Sequence, residues 1–142
     1  MKSTVEWAGG KAFSYESDSG HRGYMDGAAK DGPGSKGPSP MELILTGLGG
    51  CTSYDVVNIL QKSRQDVVNC EAQLNAERAD TVPAVFTKIH IHFVVTGRQL
   101  KPAQVERAIA LSADKYCSAS MMLEKGGVII THDFEIVETD SL

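Results

Sequence analysis

The sequence predicts an α+β domain: short N-terminal strands, one long apolar helix, a pair of alternating strands, then a second helical stretch and a last strand. Three observations carry this. Residues 40–63 combine a helix-start signal with apolar side chains on nearly every side. Residues 68–78 and 86–96 alternate apolar and polar, the pattern of half-buried strands. Glycine and proline clusters at 9–10, 17–20 and 27–38 punctuate the first part of the chain.

Residues 3–7 and 11–17 read as two strands joined by a turn at Gly9-Gly10. His21 to Asp26 follows the turn signal Ser17-Asp18-Ser19-Gly20 as a third strand. Residues 27–38, rich in glycine with Pro33 and Pro38, form a connection that is either a flap over a site or a surface loop.

Ser39 is then placed to cap a helix, with Pro40 in its first position and Glu42 at capping-box spacing. Leu43, Ile44, Leu45, Leu48, Val56, Val57, Ile59 and Leu60 surround it with apolar groups, which predicts a buried helix. Gly47, Gly49 and Gly50 each cost about 1 kcal/mol against alanine in a helix interior. The Gly49-Gly50-Cys51 step therefore predicts close backbone packing around a thiol.

In 68–78, Val68, Cys70, Ala72, Leu74 and Ala76 share the apolar face. In 86–96, Ile89, Ile91, Phe93 and Val95 point inward, with Lys88, His90 and His92 opposite. The two read as an antiparallel pair joined around Pro83. Pro102 opens a helix carrying Val105, Ala108, Ile109, Ser112, Ala113 and Tyr116. Residues 116–123 continue it or open a further short helix, and Gly126-Gly127 ends it. Val128, Ile130, Phe134 and Ile136 mark a last strand over 128–138. The order is β-β-β-α-β-β-α-α-β, in a single domain over 1–142 with no repeat.

Composition narrows the function classes. The 142 residues are 42% hydrophobic and 23% charged, with a net charge of −4. No broad basic surface points to nucleic acid, and no basic amphipathic helix points to a membrane surface. Glu42, Thr46, Thr52, Ser53 and Asp55 interrupt the apolar helix and argue against a membrane span. No apolar N-terminal run of signal-peptide length is seen, so the expected location is cytoplasmic. The three cysteines are odd in number and widely spaced, unlike a disulfide framework or a zinc motif. Gly47-x-Gly49-Gly50 lies inside a helix, so it is no nucleotide loop, and no cofactor is expected.

The chemistry left concentrates on thiols. Cys51 is either a structural thiol in a buried helix or a reactive one. Cys117 is either packed inside a helix with Tyr116 and Met121 or placed just before a helix N-terminus, where backbone N–H groups lower a thiol pKa. Were the two helices to pack together, one thiol could become a sulfenic acid and the other resolve it as a disulfide. Arg22, Arg64 and Lys115 are the cations that could support the attacking thiolate. Cys70 reads as a small hydrophobe. His90 and His92 share a strand face, but no third ligand is apparent, so no metal is expected.

These motifs resemble those of a known family. Ser39-Pro40-Met41-Glu42-Leu43-Ile44 leading to Gly49-Gly50-Cys51 is similar to the first cysteine helix of the OsmC/Ohr family. Ala113-Asp114-Lys115-Tyr116-Cys117-Ser118 resembles its second cysteine motif. Within that family, residues 51–62 and Thr96-Gly97-Arg98 look most like a subgroup of small bacterial OsmC-like proteins. The resemblance implies a β-β-β-α-β-β-α-β fold and an intertwined homodimer, with long central helices packed between antiparallel sheets. It implies thiol-dependent reduction of a small organic hydroperoxide in stress defence, with Cys51 peroxidatic and Cys117 resolving. A dithiol or lipoyl-type reductant would restore the pair. Family peroxidases use a glutamate ten residues before the first cysteine and an arginine from an N-terminal strand. Met41 occupies the glutamate position here and Glu42 follows it, about 100° around the helix. Glu42 thus reads either as a catalytic partner or as the capping-box residue, and Arg22 lies in the region of the arginine. The alternative is a non-catalytic stress protein holding a small apolar ligand in the dimer cleft.

Overall fold

A computed structural model describes residues 1–27 and 35–140. The connection expected over 27–38 falls mostly outside the described residues. The chain groups into two compact units, Met1–Ile44 and Leu45–Leu142.

The first unit is an antiparallel meander of β1 (Ser3–Trp7), β2 (Phe13–Ser17) and β3 (Arg22–Met25). Trp7 pairs with Phe13, Val5 with Tyr15, and Phe13 with Met25, which collects the apolar side chains on one face. Thr4, Glu6, Ser14, Glu16 and Arg22 alternate onto the other. Gly9 and Gly10 both take positive φ, as the β1–β2 turn requires. The Trp7 indole N–H donates to the Gly10 carbonyl at 3.0 Å.

Helix α1 spans Pro40–Lys62 and crosses from one unit into the other. The Ser39 Oγ accepts the Glu42 backbone N–H at 3.2 Å, forming the expected cap.

The second unit is a mixed sheet in the order β4 (Asp66–Arg78), β5 (Phe86–Arg98), β6 (Ile129–Glu138). The β4–β5 pair is antiparallel, as expected. β6 lies parallel to β5, which the long helical crossover between them permits. That crossover comprises α2 (Pro102–Leu111), one π turn (Ser112–Tyr116) and α3 (Ser118–Lys125). Ile89, Ile91, Phe93 and Val95 of β5 form the inner face. Leu48, Val56 and Leu60 of α1 and Val105, Ala108 and Ile109 of α2 complete the core. Each of these side chains larger than alanine contributes roughly 1.5–3 kcal/mol by leaving water.

Two expectations change. Val68 does not join the inward row: the register slips between Val67 and Asn69, leaving Val68 as an exposed bulge residue. Nor is α1 buried all round. Its length and composition would suit a membrane span, but it buries a stripe of Leu48, Gly49, Thr52, Val56 and Leu60 in the unit. Ile44 and Tyr54 stay exposed, Tyr54 at 73%. The close packing predicted for the glycines is seen at Gly49, where an added Cβ would lie 2.7 Å from Leu74 Cδ1 on β4. Gly50 faces open space.

Candidate functional site

Cys51 and Asp55 sit one turn apart on α1, so both side chains leave the same face of the helix. Between them Thr52 is buried, its hydroxyl donating back to the Leu48 and Gly49 carbonyls at 3.1 and 3.2 Å. The π turn carries the second thiol to this face. Ser112 opens it and donates from Oγ to the Thr52 carbonyl at 3.3 Å and to Asp55 Oδ2 at 3.2 Å. The Cys117 N–H closes it on the Ser112 carbonyl at 2.8 Å.

Cys117 is itself the N-cap of α3, extended at φ −78°, and its Sγ accepts the Ser120 N–H at 3.3 Å. Cys51 Sγ, Cys117 Sγ and a carboxylate oxygen of Asp55 all lie within 4.8 Å of one another. Two cysteines remote in sequence therefore meet beside a carboxylate.

The cap does not lower the Cys117 pKa. Burial, at 1% exposure, pushes the thiol up to about 12 and outweighs the Ser120 N–H, while Cys51 and the Asp55 charge push the same way. Cys117 thus remains a protonated thiol at neutral pH. Cys51 is half-buried and more accessible.

The family model described as OsmC-like protein matches residues 32–133. The chain belongs to the OsmC-like family. It is 54% identical to Protein YhfA of Escherichia coli (strain K12) over 137 residues, covering 96% of this chain and 98% of that one. The crystal structure of OsmC like protein from Mycoplasma pneumoniae matches with a TM-score of 0.82 at 15% identity, over 96% of each chain. The organic hydroperoxide resistance protein OhrB of Bacillus subtilis matches with a TM-score of 0.63 at 19% identity, over 94% of this chain and 96% of that one. Both structures share the fold.

The other residues singled out in this OsmC-like chain have partners of their own. Arg22 lies on the polar face of the N-terminal sheet and pairs with Glu16, its cross-strand neighbour, at 3.3 Å. Glu42 stands exposed in the first turn of α1, with its N–H on the Ser39 cap. Arg64 follows Cys51 by thirteen residues. That is about 20 Å along a helix axis, which removes it as a thiolate partner. Lys115 reaches over the Tyr116 ring, 5.5 Å from its centroid. Cys70 is half-buried on β4, and burial raises its pKa, as befits a packing thiol.

The histidines do find acidic neighbours. The parallel register sets Asp133 opposite His92, and Asp133 Oδ1 meets His92 Nδ1 at 2.7 Å and His90 Nε2 at 2.9 Å. His92 Nε2 lies 3.5 Å from Glu135. This cluster sits on the sheet face away from the thiols.

Sequence reading missed Asp55 and Ser112. The i, i+4 spacing of Cys51 and Asp55 was a signal for the first. Ser112 had none, because only the π turn aims its hydroxyl at α1. Beside Asp55 a groove of about 500 Å³ runs past Asn58, Ile59, Lys62, Arg107 and Tyr116.

Proposed function

We propose that this OsmC-like chain reduces small organic hydroperoxides in stress defence through Cys51 and Cys117. The observation that carries the reading is the approach of the two sulfurs to within 4.8 Å. A disulfide would bring them to about 2.05 Å. The Cys51 thiolate attacks the outer peroxide oxygen; the O–O bond breaks, Cys51 becomes a sulfenic acid, and the expelled alkoxide takes a proton from water and leaves as the alcohol. Cys117 then attacks that sulfur, and with its proton the hydroxide leaves as water. An external dithiol or lipoyl-type reductant returns both thiols. The division of labour follows from burial: the accessible Cys51 meets the peroxide, and the protonated Cys117 waits to resolve.

We place the chain in the cytoplasm and as a homodimer. The apolar face of the N-terminal sheet and the exposed Ile44 and Tyr54 of α1 support the dimer, since a second copy would cover them. Glu42 enters this reading as the first-turn residue whose N–H the Ser39 cap holds rather than as a catalytic partner, and Arg22 stays paired with Glu16 in the N-terminal unit. The name of the Bacillus subtilis OhrB supports the substrate class. The test is loss of cumene hydroperoxide with a dithiol present, beside Cys51→Ser. Turnover in wild type alone is expected; equal loss in both sinks the reading.

A second reading is a non-catalytic ligand-binding protein. The groove beside Asp55 favours it, with apolar Ile59, Leu111 and Tyr116 set against Lys62 and Arg107. An alkylation midpoint for Cys51 near that of free cysteine, with no peroxide turnover, would select this reading.

A further inference from the structure

We propose that reduced Cys51 and Cys117, together with Asp55, form a binding site for a thiophilic divalent cation such as Zn²⁺. Two sulfurs and one carboxylate are a donor set that zinc accepts. Zinc–sulfur bonds of about 2.3 Å and zinc–oxygen bonds of about 2.1 Å put tetrahedral donors about 3.6–3.8 Å apart. The three donors here already stand inside 4.8 Å of one another. Two come from successive turns of one helix and the third from a helix cap, so little chain must move. Partners behind two of the three hold them in place: Ser112 Oγ donates to Asp55 Oδ2, and the Ser120 N–H donates to Cys117 Sγ. Such outer hydrogen bonds orient ligands and tune affinity.

Three donors leave a fourth position for water or an incoming thiolate. The histidine cluster on the opposite sheet face is a poorer site. His90 and His92 both direct a ring nitrogen at the one Asp133 oxygen, so an ion between them would first have to separate those bonds.

Cation and disulfide exclude each other, because both use the same two sulfurs. Diamide takes two electrons from the thiolates and two protons from water. It leaves as the hydrazine, forms the disulfide and frees the ion.

Cobalt tests the site directly. Reduced wild-type protein with Co²⁺ should show a near-ultraviolet sulfur-to-cobalt charge-transfer band at one ion per chain. The band should be lost in Cys51→Ser and Cys117→Ser and kept in Cys70→Ser, with folding of each variant checked by circular dichroism. Ser112→Ala keeps all three donors and should weaken Zn²⁺ binding about 10-fold. Asp55→Asn should weaken it at least as much. Absence of the band in reduced wild type, its persistence in Cys117→Ser, or unchanged zinc affinity in Asp55→Asn overturns the proposal. This arm uses no oxidant and is independent of peroxide turnover. In a second arm, diamide should release Zn²⁺ to a chromogenic chelator in step with disulfide formation; oxidised protein that retains the ion also overturns it.

Discussion

Ser112 Oγ donates to Asp55 Oδ2 at 3.2 Å, tying the start of the π turn to the helix turn that follows Cys51. The carboxylate so held is one of the groups that keep Cys117 protonated. Asp55→Asn removes its charge, so the Cys117 pKa should fall. The measurement is the pH dependence of Cys117 alkylation in chelator-treated protein lacking Cys51 and Cys70, with and without the substitution. A midpoint that stays put or rises would show that the carboxylate does not act on the thiol.

The two cysteines should fail differently. Cys117→Ser keeps the attacking thiol but not the resolving one. One equivalent of peroxide should be consumed, after which a sulfenic acid accumulates and a dimedone adduct forms on Cys51. Cys51→Ser should give neither event. A dimedone adduct on Cys117 in the Cys51→Ser protein would reverse the assignment.

Each thiol stood out in the sequence by its local setting, a Gly-Gly step and a helix start, but those settings left a packing role open for both, and only the family resemblance paired them. Their proximity was not legible, since it depends on α1 and α3 meeting across 66 positions of chain. The fold was readable for a similar reason: strands β4 and β5 alternate cleanly, and α1 announces its own start. What failed was local. Val68 fits the alternation on paper, but the bulge opposite Gly97 and Thr96 turns it outward. Asp133 carries no signal in the sequence because its partners belong to a parallel strand some forty residues earlier.

Gly97 shows what that bulge region requires. An added Cβ would run into the Asp66 carbonyl and the Leu100 side chain. The carbonyl belongs to the paired strand and cannot swing away. Gly97→Ala should therefore cost about 1–3 kcal/mol of stability by overpacking, read as a lower urea midpoint with unchanged m value. An unchanged midpoint would mean the β4–β5 register relaxes at no cost.

Tyr54 tests the proposed dimer. It is 73% exposed on a helix whose opposite stripe is core. A glutamate there leaves the core stripe untouched but would place a charge in an apolar interface. Tyr54→Glu should run as a monomer by light scattering where wild type runs as a dimer, with unchanged far-ultraviolet circular dichroism. A dimer that survives the substitution would locate the interface elsewhere.

The histidine cluster predicts a pH window for stability. The Asp133 hydrogen bond raises the His92 pKa above its ordinary value, with the charges of Asp133 and Glu135 acting the same way. The folded chain thus holds a proton that the unfolded chain releases near pH 6.5. That contribution is complete below about 6.5 and is lost as pH rises through the raised folded value. Asp133 is held below the usual carboxylate range by His92 and then His90. Its contribution is present above about pH 3.9 and fades in acid. The pair therefore stabilises the fold most between these limits. Asp133→Asn should lower the melting temperature most near pH 5–6, with the difference from wild type shrinking as pH rises toward 9. A difference that stays constant across that range would show that the bonds to Asp133 do not depend on a charged imidazole.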